Sequence, residues 1–352
     1  MDINKKLIFS PELNNSIIKK IGEIEKFQGK WETLKVDNNQ FLNELRYIAT
    51  IQSIGSSTRI EGSELDDEEV KHLIENLEIS QLESRDQQEV IGYWETLELI
   101  INQFDKIDLS ERYIFQLHGI LLKYCNKDIR QRGKYKNLSN SVVAKYPDGS
   151  QKTIFNTTQP HLVSEEMTQL INWVIKELKK QAINPLIIVS TFIYEFLSIH
   201  PFHDGNGRLS RLLTTLLLLK EKYYFVQYVS FEHIIEKQKK EYYQSLMDCQ
   251  KNRNTSDETI GIWINFFLEC ILKLSNQLES KIDRILLKDI YLNQRQKEIL
   301  NFIAHSGKVR TADVSQHIES SIATIKKDLK YLVEQKLIEK KGAGKATTYS
   351  IM

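Results

Sequence analysis

Proline and glycine are both scarce in this sequence, with 5 and 14 among 352 residues. So few breakers exclude a chain of many short strands and tight turns, and leave room for long helices. Cysteine is scarcer still: Cys125, Cys249 and Cys270 are scattered, odd in number and without metal-ligand spacing. That excludes a disulfide framework or a zinc ribbon and fits small buried side chains in a reduced compartment, so a cytoplasmic protein is expected. No apolar run reaches the roughly 20 residues of a membrane span, the longest lying around Leu212–Leu219. The opening MDINKKLIFSPELNN lacks the continuous apolar stretch of a signal peptide. An excess of either charge is also missing: 48 Lys and Arg against 47 Asp and Glu leave a net +1, so any polyanion must be met locally. Internal repeats and low-complexity tracts are absent as well.

What remains is helical periodicity. Apolar spacing predicts helices over Ile17–Phe27, Phe41–Gly55, Glu68–Leu77, Gln87–Phe104 and Ser110–Tyr124. The pattern breaks at Arg132. From Ser141 to Thr158 two β-prone runs flank Pro147-Asp148-Gly149, which reads as a hairpin. Helices follow over Ser164–Lys180 and over the almost wholly apolar Pro185–Ile199, a buried central helix. Ser256–Leu278 is helical, and 279–290 is expected to be a linker. Residues 291–352 then read as three short helices and two strands around Gly342-Ala343-Gly344, a winged helix-turn-helix pattern.

The junction HPFHDGNGRLSR, His200 to Arg211, separates two apolar helices. Pro201 ends the first helix, because it lacks an N–H and disfavours helical geometry before it. Gly205 and Gly207 let a ligand approach the main chain closely. The free amides opening the next helix make an anion nest, and Arg208 and Arg211, one turn apart, can face the same anion. Asp204 suits a divalent cation bridging phosphates, and His200 is placed to take a proton from a hydroxyl. Together these groups amount to a phosphoryl or nucleotidyl transfer site. A rival is a metal-dependent phosphohydrolase using His203-Asp204 with His118 and Asp248, but it leaves the GNGR nest unexplained.

The segment matches, at every specified position, the motif HPFx[D/E]GNGRxxR, and so resembles the Fic family. The resemblance implies a helical Fic core over 106–278 with a β-hairpin flap, an N-terminal helical region over 1–105, and the winged-helix domain behind it. It implies His200 as general base, Phe202 as a buried packing residue and Asp204 as the Mg²⁺ ligand. Gly205, Asn206 and Gly207 would line the α/β-phosphates of ATP, with Arg208 on phosphate and Arg211 on the γ-phosphate. AMP would pass to a Ser, Thr or Tyr hydroxyl of a target protein. Doc relatives, which phosphorylate, carry Lys where Gly207 stands, so nucleotidyl transfer is favoured. His203 falls where the family allows almost anything and reads as an exposed linker residue.

Upstream, SSTRIEG sets Ser57 and Glu61 four residues apart on one helical face with Gly62 as a C-cap. By itself this is a solvated helix end, but it also resembles the Fic inhibitory signature [ST]xxxE[GN], within a helix of about 47–62. Glu61 would then pair with Arg211 and displace the γ-phosphate; in some relatives the same glutamate also supports removal of AMP. The 141–158 hairpin resembles the flap that docks a target segment by strand addition. Tyr242 and Tyr243 are candidates to stack on adenine or to pack in the core. Residues 291–352 carry eleven Lys and Arg against six Asp and Glu, with Lys326, Lys327 and Lys330 on the expected recognition helix and Lys340, Lys341 and Lys345 on the wing. That fits DNA phosphates and equally a solvated face. The resemblance also allows a homodimer. A different class of reading is a winged-helix DNA-binding regulator whose Fic part only senses nucleotide.

Overall fold

The computed structural model describes residues 2–33, 39–77, 82–125, 129–145, 151–289, 292–318, 320–335, 337–342, 344 and 347–351. The chain is mainly helical and divides into two compact units, Met1–Glu279 and Ser280–Met352.

In the first unit, helices α1 (Pro11–Thr33), α2 (Asn39–Glu61), α3 (Asp67–Glu75), α4 (Arg85–Gln103) and α5 (Glu111–Leu121) precede the hairpin β1 (Ser141–Lys145) and β2 (Gln151–Asn156). Then come α6 (Pro160–Lys180), α7 (Pro185–Ile199), α8 (Asn206–Lys220), α9 (Phe231–Lys237) and α10 (Lys239–Gln250), and α11 (Gly261–Asp289) starts in this unit. Local chemistry sets several ends. Ser84 and Asp66 close capping boxes with Gln87 and Glu69 at the starts of α4 and α3. Asn184 caps α7, with Pro185 in its first turn. α2 joins the two stretches expected to be helical, Phe41–Gly55 and about 47–62, in one helix. It stops at Gly62, whose φ of 112° lets Ser63 N–H reach Thr58 O at 3.1 Å and Gly62 N–H reach Arg59 O at 3.1 Å. This is a Schellman stop, and it leaves Glu61 as the cap residue.

α7 and α8 form the centre. Every residue of α7 from Ile188 to Ile199 is buried, which is why its sequence carries apolar residues on all faces. Each such Leu, Ile or Phe contributes roughly 1.5–3 kcal/mol by leaving water. α6 and α4 flank this pair, and α2 lies against α9, α4 and α8. Gly92 permits the tight crossing of α4 on α5, since a Cβ there would enter the Leu121 carbonyl. The three cysteines are buried.

Residues 279–289, expected as a linker, are helical in the structure, because SKIDRILLKD continues α11 without a breaker, and Ile282 is buried. The turn signal Pro147-Asp148-Gly149 lies outside the described residues, although both strands of the hairpin are present and antiparallel, with a bulge at Val142/Val143.

The second unit contains α12 (Gln294–Ser306), β3 (Lys308–Val309), α13 (Thr311–His317), α14 (Ile322–Glu334), β4 (Ile338–Lys341) and β5 (Thr348–Ile351). Two strands were expected; the sheet has three, in the order β3-β5-β4. The extra one, a two-residue strand, is too short to leave a periodic signal. Its packed core includes Ile299, Ile303, Ile325, Leu329 and Leu332. Buried Asp328 of α14 accepts from Arg295 Nε at 2.6 Å and Gln296 Nε2 at 3.0 Å, tying α12 to α14.

Candidate active site

The helix stop at the end of α7 creates the site. His200 sits in the left-handed region at φ 52°, with its N–H on Phe196 O at 2.9 Å. This backbone state is uncommon for a residue with a Cβ, and Pro201 forbids continuing the helix instead. Its Nδ1 lies 3.3 Å from Leu197 O, so Nδ1 carries the proton and Nε2 keeps a free lone pair. Burial, helped by the Lys136 ammonium, pushes the imidazole down to about 4, against the opposing pull of the Leu197 carbonyl, Glu61 and Asp204. His200 is therefore neutral, the form a general base requires. Phe202 is fully buried, stacked on His118 at 3.8 Å between ring centroids.

Five residues after His200, Gly205, at φ 80°, opens α8 with no side chain capping it. The first amides of α8 therefore have no capping side chain, and the positive end of a helix wholly buried from Arg208 to Leu219 is left for an anion. Asn206 is spent on structure: it accepts from Phe202 N at 2.9 Å and donates to Phe202 O at 2.8 Å, pinning the loop.

Asp204 Oδ2 accepts from Arg208 Nη2 at 2.7 Å and from Arg85 Nη2 at 2.9 Å. Burial pushes this carboxyl up, but Arg208, the Gly205 amide and Arg85 outweigh it and hold it below its ordinary range, so it is ionised. Glu89 completes the cluster, 2.9 Å from Arg208 Nη1 without hydrogen-bond alignment and 2.7 Å from Arg85 Nε.

Arg211, 2% exposed, faces α2. Its Nε donates to Ser57 Oγ at 2.8 Å, and Nη2 donates to Ser57 O at 2.9 Å and to Glu61 Oε1 at 2.7 Å. Burial opposes its charge, yet Glu61 keeps it firmly protonated. Gly207 makes this contact sterically possible, since a Cβ there would overlap Glu61 Oε1. Arg208 Nε and Nη1 and Arg211 Nη1 are buried without a hydrogen-bond partner. Buried guanidinium N–H groups left in that state await an acceptor, and a polyphosphate supplies several.

Tyr242 is 3% exposed, in edge contact with Tyr243 and Trp263 and beside Phe266, with the Arg211 charge close to its hydroxyl. Burial raises both phenols, Tyr242 to about 12. Tyr243 remains partly accessible and near Glu61. His203 is not free in solvent: its Nε2 lies 2.8 Å from Asn137 Oδ1 and 3.3 Å from Asn137 N. The phosphohydrolase set does not assemble. His118 accepts from Gly133 N–H on Nδ1 at 2.9 Å and faces Asp204 O from Nε2 at 3.0 Å, so both nitrogens are used. Asp248 pairs with Lys251, and no cluster of three metal-ligating side chains occurs among the described residues.

Several site residues escaped sequence reasoning. Arg85 and Glu89 stand one turn apart on α4, a spacing shared by countless surface pairs. Tyr93, also at this site, donates to buried Glu232 at 2.9 Å. Arg59 locks α2 to α9 through Glu236 at 2.6 and 3.1 Å. These partners come from separate elements, so only the fold reveals them.

A divalent cation fits this arrangement on its donor chemistry. One ionised carboxylate, Asp204, stands beside an uncapped helix start, and Mg²⁺ characteristically takes one or two carboxylates with waters and phosphates.

An imidazole at one helix end, an open helix start beyond it and two buried guanidinium groups form an arrangement suited to a polyanion such as phosphate. Comparison with known proteins narrows this reading. Residues 108–218 match the Fic/DOC family, and residues 295–348 match the DeoR-like helix-turn-helix domain. The chain thus carries a Fic domain of the Fic/DOC family followed by a DeoR-like helix-turn-helix domain. It is 26% identical over 254 residues to the protein adenylyltransferase Fic of Drosophila melanogaster, covering 71% of this chain and 46% of that relative. It is also 26% identical over 141 residues to the protein adenylyltransferase fic-1 of Caenorhabditis elegans, covering 39% of this chain and 25% of that one. The chain spans about half the length, or less, of the curated relatives it matches. A Fic family protein from Desulfovibrio desulfuricans shares the fold with a TM-score of 0.64 at 22% identity, over 99% of this chain and 98% of that one. Residues 134–508 of Fic-1 from C. elegans do so with a TM-score of 0.62 at 16% identity, over 78% and 75%. No described helix is long and apolar enough to cross a membrane.

Proposed function

We propose that this chain is a protein adenylyltransferase that uses Mg-ATP and is held inactive by Glu61. The observation that carries the reading is Arg211: a buried guanidinium with one unpartnered nitrogen, on the helix whose open start follows His200, occupied by a carboxylate from another helix. In the reaction a target hydroxyl oxygen attacks the α-phosphorus of ATP. The bond from that phosphorus to the β-phosphate bridging oxygen breaks, and pyrophosphate leaves. His200 Nε2 takes the hydroxyl proton, while α8 amides, Arg208 and Arg211 stabilise the charge on the phosphates. Mg²⁺, held by Asp204, would neutralise phosphate charge when bound. While Glu61 holds Arg211, the γ-phosphate lacks its anchor and the α-phosphate is misaligned for attack.

Incubating the Glu61→Gly protein with Mg-ATP and weighing it by mass spectrometry tests this. An AMP adduct that disappears in the Glu61→Gly/His200→Ala double variant is expected. A Glu61→Gly protein that binds ATP yet never gains AMP would instead favour a nucleotide sensor.

The helix-turn-helix domain supports a second, compatible role in DNA binding. Lys326, Lys327 and Lys330 are exposed on α14, and Lys340 and Lys341 on β4; Lys345 lies outside the described residues. Duplex binding that weakens steeply with salt is expected in a gel-shift titration, and its absence at low salt would remove this role.

A further inference from the structure

Lys136 has no place in the chemistry above, yet it occupies an unusual position. It is 2% exposed, and its ammonium donates to Thr157 Oγ1 at 2.6 Å, Asn140 Oδ1 at 2.8 Å and Ile199 O at 3.2 Å. Those three oxygens use all three donors of the ammonium, and each is neutral. Among the described residues no carboxylate lies within ion-pair distance of it. Burying a cation on neutral oxygens alone is costly, and burial pushes this amine down to about 8, with Glu166 opposing from further off. A tether alone could be built from neutral side chains.

The three acceptors explain the arrangement. Asn140 immediately precedes β1 and Thr157 immediately follows β2, so both stand at the root of the hairpin, where Ser141 pairs with Asn156. Thr157 Oγ1 also bonds Asn140, closing the root. Ile199 is the residue before His200. The Lys136 N–H holds Pro201 O at 2.8 Å, and Asn140 Nδ2 holds Phe202 O at 3.0 Å. The hairpin root is therefore bolted to the main chain on both sides of the imidazole, with one positive charge at the joint.

We propose that Lys136 is a positioning residue for AMP transfer: it sets the hairpin that docks the target in register with His200 and holds that imidazole in its proton-accepting state. This rests on the adenylyltransferase reading above. The charges facing His200 are Lys136, Glu61 and Asp204, and of these only Lys136 favours the neutral ring.

The test uses the full-length Glu61→Gly protein as parent, with α-labelled Mg-ATP and auto-modification under single-turnover conditions across pH. Lys136→Met is expected to slow transfer by about tenfold or more while leaving ATP affinity, measured by calorimetry, within about twofold. It is also expected to move the acid limb of the rate profile upward by about half a unit or more, because an opposing positive charge has gone. Lys136→Arg should restore most of both. Thr157→Val loosens the hairpin root but keeps the charge, so it should slow transfer without moving the acid limb. A folded Lys136→Met protein with parental rate and acid limb overturns the proposal, as does a slow one whose acid limb stays put and which Lys136→Arg does not rescue. Should Lys136→Met fail to fold, unaltered transfer by Thr157→Val overturns it. A parent that transfers no AMP overturns this inference together with the function it rests on, an outcome distinct from an active parent indifferent to Lys136.

Discussion

Replacing Glu61 by glycine is the sharpest perturbation the site offers. The carboxylate is 33% exposed at its side chain and Arg211 is 2% exposed, so their 2.7 Å contact is partly screened. Its net worth then falls in the range of a charge-assisted hydrogen bond, about 1.5–3 kcal/mol, below that of a fully buried ion pair. If that energy must be overcome before the γ-phosphate can take Arg211, its removal should raise transfer about 10- to 150-fold, at 1.36 kcal/mol per decade. The fold should survive, because Arg211 keeps both bonds to Ser57 and the Schellman stop at Gly62 is main-chain. Label transfer from α-labelled ATP, compared between wild type, Glu61→Gly and Glu61→Gln, measures the effect. Glu61→Gln, which keeps size and loses charge, should fall between the other two. Equal rates for wild type and Glu61→Gly at saturating ATP would refute the reasoning, since Arg211 would then not limit alignment.

His200→Ala in the Glu61→Gly background should lower transfer by about 10²–10⁴ with ATP binding intact by calorimetry. Gly207→Ala should destabilise the wild-type fold by about 1–3 kcal/mol, because its Cβ needs the space of Glu61 Oε1. The same substitution should cost clearly less in Glu61→Gly, a coupling that a double-mutant cycle of denaturation midpoints reads directly. Acid should destabilise the first unit in a defined window. His118 and His200 are each pushed from 6.5 to about 4 by burial, so the unfolded chain binds protons that the native state refuses. Their contribution is complete above about pH 6.5 and is lost as pH falls toward 4, with an upper bound on the order of 3 kcal/mol each. Melting temperatures in that window should fall less for His118→Gln than for wild type.

How much was legible beforehand divides along physical lines. The stop at Pro201, the freedom of Gly205 and the charge of Arg208 and Arg211 are properties of neighbouring residues, so the local form of this junction could be read from twelve consecutive letters. α7 was placed to the residue because a wholly apolar stretch bounded by Asn184-Pro185 and His200-Pro201 has one reading. The second unit was read from three helical periods and a glycine turn, and its short strand β3 was missed because two residues carry no period. The helical state of the expected linker 279–289 was not foreseen, because mixed charge blurs the apolar period, whereas helix formation needs only the absence of a breaker.

Partnership is what the linear order withheld. Ser57 and Glu61 share a helix face by spacing alone, but that the face meets Arg211, 150 positions away, depends on how α2 packs against α8. Nothing in the linear order sets Lys136 apart, and the four-residue spacing of Arg85 and Glu89 is common to exposed helical pairs. Spacing fixes which groups travel together on one element, because backbone geometry is local. Which charge is stripped of water and which oxygen then answers it is decided where elements from distant parts of the chain close on one another, and that belongs to the fold.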